Sequence, residues 1–318
     1  MNKAKPGKVF LNRWLLKLLI IPLLLVSGCS REVPDAGVEN PKVKEKPDVT
    51  VSILPQRYFV SRITGDKYKI NVMIPPGHSP ATYEPTPREM KAVSRSILYF
   101  RIGHIGFENA WMEKIAALNK NMKIIDTSKG VSLIKSKPCS HDHDAEAHHH
   151  HHHAEGIDPH IWLSTTAAKV QAGHILNAFI EADPGNRAFY EKNYRAFMED
   201  IRLLEAENKK VLQPLQGKKF MVYHPAWSYF AREYGLLQYP IEIEGKSPGA
   251  ADLKKMMDIA ERENIRVIFV QRQFTSDSAR AIAEAIGGKV VKMDPLAPDW
   301  LQNMKKIAGT LKETLTGK

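Results

Sequence analysis

The sequence predicts an α/β fold built from parallel sheets, and three observations carry that prediction. Short apolar runs rich in β-branched and aromatic residues recur along the chain, and helical patterns separate them. The length beyond the leader, about 270 residues, suits one large or two medium lobes with a substantial buried core. In the first half the strand candidates are residues 49–54, 69–74, 97–102 and 123–126, with helices starting near Tyr58, Pro87 and Phe107. Two helical segments join the halves. The first follows Ser164, a good N-cap because its hydroxyl can accept an orphan backbone N–H. The second runs from about Asn186 to Leu212, with Tyr190, Tyr194, Phe197, Ile201, Leu204 and Val211 on alternating four- and three-residue steps and a polar Asn208 in the seam. At 1.5 Å per residue it would be about 40 Å long, enough to run along two lobes as a stiff spine that limits hinge opening. In the second half, residues 220–223, 266–270 and 289–293 read as strands. Leu253, Met256, Met257 and Ala260 form the stripe of one helix, and the next runs through Ile282, Ala283 and Ile286 to stop at Gly287 and Gly288.

The chain opens with an address. Lys3, Lys5, Lys8, Arg13 and Lys17 make a basic leader, and the apolar stretch from Leu15 to Val26 is too short for a comfortable membrane span. It ends in Val26, Ser27, Gly28 and Cys29, small residues before a cysteine that resemble a bacterial lipobox. Residues 1–29 are therefore expected to be a lipoprotein signal peptide with Cys29 lipidated, and residues 30–47, with three prolines, a tether. Cys139 is then unpaired, which excludes an intrachain disulfide framework. Removing the leader takes five positive charges from the formal +11 and leaves +6, scattered among acids, so no nucleic-acid surface is expected.

Thirteen histidines carry the chemistry. Eight lie close together, His141, His143, His148, His149, His150, His151, His152 and His153, in a low-complexity segment, residues 136–156, expected to be a mobile surface loop that collects metal. Three others, His78, His160 and His224, each sit in a proline-marked turn: PPGHSP, DPHIW and VYHPAW. Imidazole is the commonest metal-binding side chain, and three dispersed copies suit a tetrahedral site with one position left for a carboxylate or water. His224 directly follows the strand FMVY, and His78 follows INVMI. Both stand at carboxyl ends of strands, the edge where ligands bind in open α/β sheets. Asp294 has the equivalent place after KVVKM and would close the shell around Zn²⁺. His104, in RIGHIG, also follows a strand and competes with His78. Glu242, Glu244 and Asp299 could replace Asp294 as the oxygen donor, and His174 falls within a helical pattern as a surface residue.

PPGHSPATYEPTPREM, FENAW, the His-rich loop followed by DPHIWLS, NRAFYEKNY, MVYHPAWSYFAREYGL and MDPL together resemble one family. These are the cluster A-I, or ZnuA-like, solute-binding proteins that feed ATP-driven zinc and manganese importers. The resemblance spans nearly all of the chain beyond the tether. It implies two lobes with parallel sheets joined by a long rigid helix and a metal site between the lobes, with domains at 48–163, 164–215 (linking helices) and 216–318. It also implies His160, His224 and Asp294 as metal ligands. The first ligand departs from the family: the histidine expected directly after the proline of its loop is replaced by Ala81, with His78 three residues earlier.

The expected function is a non-enzymatic, extracytoplasmic receptor, monomeric and membrane-anchored through its lipid, that captures Zn²⁺ for the permease and ATPase subunits of an ABC importer. Imidazole suits zinc, whereas manganese-binding relatives tend to carry glutamate at the place of His224. The alternatives are a Mn²⁺ or other divalent-metal receptor, a surface metal-binding adhesin, and a zinc hydrolase. The last needs an open coordination position and a nearby base, and no HExxH-like motif supplies them.

Overall fold

The structure, a computed structural model, describes residues 45–135, 156–242, 248–274 and 277–316. The expected signal peptide with Cys29, Cys139, the histidines of residues 141–153 and Glu244 lie outside these residues.

The first half lays down β1 (Asp48–Val51), α1 (Leu54–Thr64), β2 (Lys69–Val72), α2 (Pro87–Val93), β3 (Leu98–Arg101), α3 (Gly106–Leu118) and β4 (Lys123–Asp126). The first apolar run is divided. Pro55, at the start of α1, lacks the N–H a strand would need and suits a first helical turn, so the helix begins at Leu54 rather than near Tyr58. All pairings are parallel in the order β2-β1-β3-β4.

Two helices follow. α4 (Thr165–Ala182) is capped as expected, with Ser164 Oγ accepting from the Ala167 amide at 3.2 Å. α5 (Arg187–Leu212) is the long helix of 26 residues, about 39 Å. It buries Tyr190, Phe197, Ile201, Leu204, Asn208 and Leu212 against α1 and α4.

The second half repeats the first with β5 (Lys219–Val222), α6 (Ser228–Tyr234), β6 (Leu237–Pro240), α7 (Ala250–Arg262), β7 (Val267–Val270), α8 (Asp277–Ala285) and β8 (Lys289–Lys292), and adds α9 (Trp300–Leu315). Its sheet is again all parallel, in the order β6-β5-β7-β8. Three of these elements escape the sequence pattern. β6 is a short edge strand ending in Pro240, and the seven residues of α6 are too few to show a helical period. α9 buries Trp300, Met304, Ile307, Ala308 and Leu311 on a regular helical stripe against α5.

Side-chain alternation divides the core. In β5, Phe220 and Val222 face a cluster that also contains Val49 and Phe100 of the first sheet, Phe197 of α5 and Met304 of α9. Met221 points the other way, into a smaller cluster with Ile268, Ala260 of α7 and Ile282 of α8. One apolar core thus runs from sheet to sheet across the linking helices. Residues just beyond β1 and β2 of the first sheet and β7 and β8 of the second line one cavity.

Candidate metal site

His224 lies two residues beyond β5, and neighbours from two other strand ends fix it. Gln271, directly after β7, brackets its backbone: the Gln271 side chain accepts from the His224 amide at 3.3 Å and donates to its carbonyl at 2.7 Å. Phe274 stacks on the ring at 4.9 Å and 23°. Glu242, two residues after β6 and 6% exposed, receives the ring Nδ1 at 2.5 Å. Burial pushes the His224 imidazole below its ordinary pKa, against the opposing pull of Glu242.

His160 is built locally. Asp158 Oδ1 accepts from both the His160 amide, at 2.9 Å, and the ring Nδ1, at 2.8 Å, across the intervening proline. Asp158 is in turn held by its own backbone: its N–H donates to Ile134 at 2.9 Å, and its carbonyl accepts from Tyr229 Oη at 2.8 Å. Burial would raise the Asp158 pKa, but the charge and hydrogen bonds of His160 outweigh it and hold the carboxyl below the usual range.

The two rings meet at their free ends, His160 Nε2 and His224 Nε2 standing 3.2 Å apart with the rings at 73°. A carboxylate can only accept, so each Nδ1 carries a proton toward Asp158 or Glu242, and whenever a ring is neutral its Nε2 presents a lone pair. Two lone pairs facing each other repel unless a cation lies between them. Two nitrogen ligands at 2.0–2.1 Å on a tetrahedral Zn²⁺ are about 3.3 Å apart, the separation found here. Carboxylates behind ligating imidazoles orient the ring and raise its basicity.

The other expected ligands are not gathered at this point. Among the described residues, no group of three or more His, Cys, Asp or Glu side chains is arranged to hold a metal. His78 is exposed, with its ring against Tyr83 at 4.9 Å. Asp294, two residues after β8, accepts from the Leu296 amide at 2.9 Å. It lines a cavity of about 390 Å³ shared with Ile74, Pro76 and Gly77 of the turn that leads into His78 and with Gln273. Asp294 and the turn just before His78 thus border one cleft, while His78 itself does not line it. Ala81 is exposed, and its loop is docked on α3 by a hydrogen bond from the Phe107 amide to the Pro80 carbonyl at 2.9 Å.

The competitors take other places. His104 has a left-handed backbone, φ 67°, in a loop tied down by the buried Glu108, which accepts from the Ile102 and Gly103 amides at 2.7 Å. His174, on α4, contacts the Lys129 carbonyl at 2.7 Å. Asp299 caps α9 through the Gln302 amide at 3.1 Å. Glu242 is the outer partner of His224. Sequence reasoning passed over Asp158, Gln271 and Phe274, although Asp158 stands in DPHIW and Gln271 is a polar residue directly after a fully buried strand.

A family model described as ZnuA, zinc-uptake complex component A, periplasmic, matches residues 49–314. The chain is 30% identical over 281 residues to the high-affinity zinc uptake system protein ZnuA of Bacillus subtilis (strain 168), covering 86% of this chain and 85% of that one. It is 27% identical over 266 residues to the manganese ABC transporter substrate-binding lipoprotein scaA of Streptococcus gordonii, with 80% of each covered. A crystal structure of ZnuA superposes with a TM-score of 0.77 at 41% identity, covering 85% of this chain and 99% of that chain.

Proposed function

Because this chain belongs to the ZnuA family of metal-binding substrate-binding proteins, we propose that it is a non-enzymatic receptor that captures Zn²⁺ outside the cytoplasm and delivers it to an ABC importer. The observation that carries the reading is the pair of imidazole Nε2 atoms 3.2 Å apart, each backed by a buried carboxylate. Imidazole donors favour zinc over manganese, which prefers oxygen-rich shells. In this reading His160 and His224 seize the ion first. His78 and Asp294 complete the shell, and the ion is held as cargo with no bond made or broken in it.

The rest of the assignment follows from the sequence. The lobes run over residues 48–163 and 216–318, with residues 164–215 as the link. Cys29 bears the lipid that anchors a monomer to the membrane, and the permease and ATPase subunits are its partners. The histidines of residues 141–153 collect further ions more weakly, because only the folded site is preorganised.

Competition titration of protein purified without chelator or nickel resin tests the reading. One tight Zn²⁺ is expected, with His160→Ala and His224→Ala each weakening it at least about 100-fold, since every lost ligand removes a coordinate bond. His78→Ala and Asp294→Ala should weaken it less, and His104→Ala should leave it intact. Wild-type binding in both histidine variants would overturn the site. Equal affinity for Mn²⁺ would overturn the choice of metal.

A further inference from the structure

Between His160 and Asp294 run two indole N–H groups pointing in opposite directions. Trp162 Nε1 donates to the carbonyl of Pro295, the residue after Asp294, at 2.8 Å. Trp300 Nε1 donates back to the carbonyl of Trp162 at 2.6 Å. Both tryptophans are only 1% exposed, so water offers neither N–H an alternative partner. The Trp162 ring packs on the His160 ring at 5.1 Å, and Trp300 is braced edge-on by Phe59 of α1 at 5.0 Å and 83°. Asn303 of α9 closes the arrangement by donating to the Asp294 carbonyl at 2.7 Å. The turn that carries His160 and the loop that carries Asp294 are distant in sequence, yet these bonds tie them together.

We propose that Trp162 is a positioning residue that sets the Asp294 loop against the His160 turn through its indole N–H, and so governs how completely a captured ion is coordinated. The proposal deepens the zinc-receptor reading and rests on it. It assigns to Trp162 and Trp300 a role in binding geometry beyond filling the core.

A third tryptophan supplies the control. Trp227 is also 1% exposed, but its Nε1 has no hydrogen-bond partner among the described residues. Substitution by phenylalanine therefore removes an indole and its hydrogen bond at 162 or 300, and an indole alone at 227. The experiment loads each variant with Co²⁺, whose visible absorption bands report coordination number and geometry, and measures Zn²⁺ affinity by competition. Trp162→Phe and Trp300→Phe should shift the Co²⁺ bands and weaken zinc about 3- to 10-fold, the worth of one net hydrogen bond. Trp227→Phe should keep the wild-type bands. If Trp162→Phe does not fold, benzothienylalanine at 162, with sulfur in place of the N–H and the same shape, makes the same comparison. Wild-type bands and affinity in the folded 162 and 300 variants would overturn the coupling, as would an equal shift in Trp227→Phe. If His160→Ala and His224→Ala bind zinc as the wild type does, the receptor site itself fails, and the coupling with it.

Discussion

His224 shows how much structure one imidazole requires: a backbone bracketed by Gln271, a ring stacked on Phe274 and an Nδ1 seated on Glu242. Burial lowers its pKa, so the folded metal-free protein resists a proton that the unfolded chain accepts at about pH 6.5. Its contribution to stability is present above that value and lost as pH falls through the depressed folded value. Asp158 acts in the same direction at lower pH, since its folded pKa is also depressed. Thermal melts of metal-free wild type and His224→Gln should therefore converge, or cross in favour of the variant, between pH 7.5 and 5. A constant difference would mean that the ring is not held neutral by the fold. The two facing imidazoles were legible in the sequence as candidate ligands because each follows a strand or a proline turn. Their carboxylate partners were less so: Glu242 is 18 residues from His224, just beyond a strand too short to show a pattern.

At the scale of elements, caps and close approaches decide where the loops carrying the candidate ligands sit. Ser164 caps α4 directly after the His160 turn, and its Oγ also donates to Glu233 at 2.5 Å. Ser164→Ala should lower stability by about 1 kcal/mol, measured by denaturant titration; no change would mean that water substitutes freely for the hydroxyl. Gly106 opens α3 where a Cβ would stand 2.3 Å from the Ala81 carbonyl oxygen. Gly106→Ala must push the loop carrying His78 through Ala81 away, at a cost of about 1–3 kcal/mol. It should weaken zinc in parallel, whereas wild-type affinity in a folded variant would show that this loop supplies no ligand. The sequence displays helices with long stripes and strands with buried runs. It hides the contact between Gly106 and Ala81, because backbone proximity across 25 residues leaves no periodicity.

Across the whole molecule, the apolar core passes from the first sheet through α5 and α9 into the second. Unfolding of the metal-free protein should accordingly give one cooperative transition, with equal midpoints by near- and far-ultraviolet circular dichroism. Two transitions would mean that the lobes are energetically separate. Zinc at 100 times its dissociation constant should stabilise the fold by about 2.7 kcal/mol. Deleting residues 139–155 should leave that increment unchanged while removing the weaker ions. The antiparallel bridge between Lys135 and Ile157 brings together the two ends of this segment, so a short connection can replace it.

By itself the sequence determined the class of fold, the parallel βα repeat, the capped and amphipathic helices around the link, and the histidines at strand ends, because all of these are written in local periodicity and turn chemistry. Only the tertiary structure decided which histidines meet. It brings the Nε2 atoms of His160 and His224 together, residues 64 apart in the chain, and leaves Asp294 in a cleft lined by the turn just before His78. The reason is that a ligand set is a matter of distance between remote segments. That distance is set by the packing of two sheets on shared helices and by ties such as Trp162 to Pro295, which no local pattern encodes.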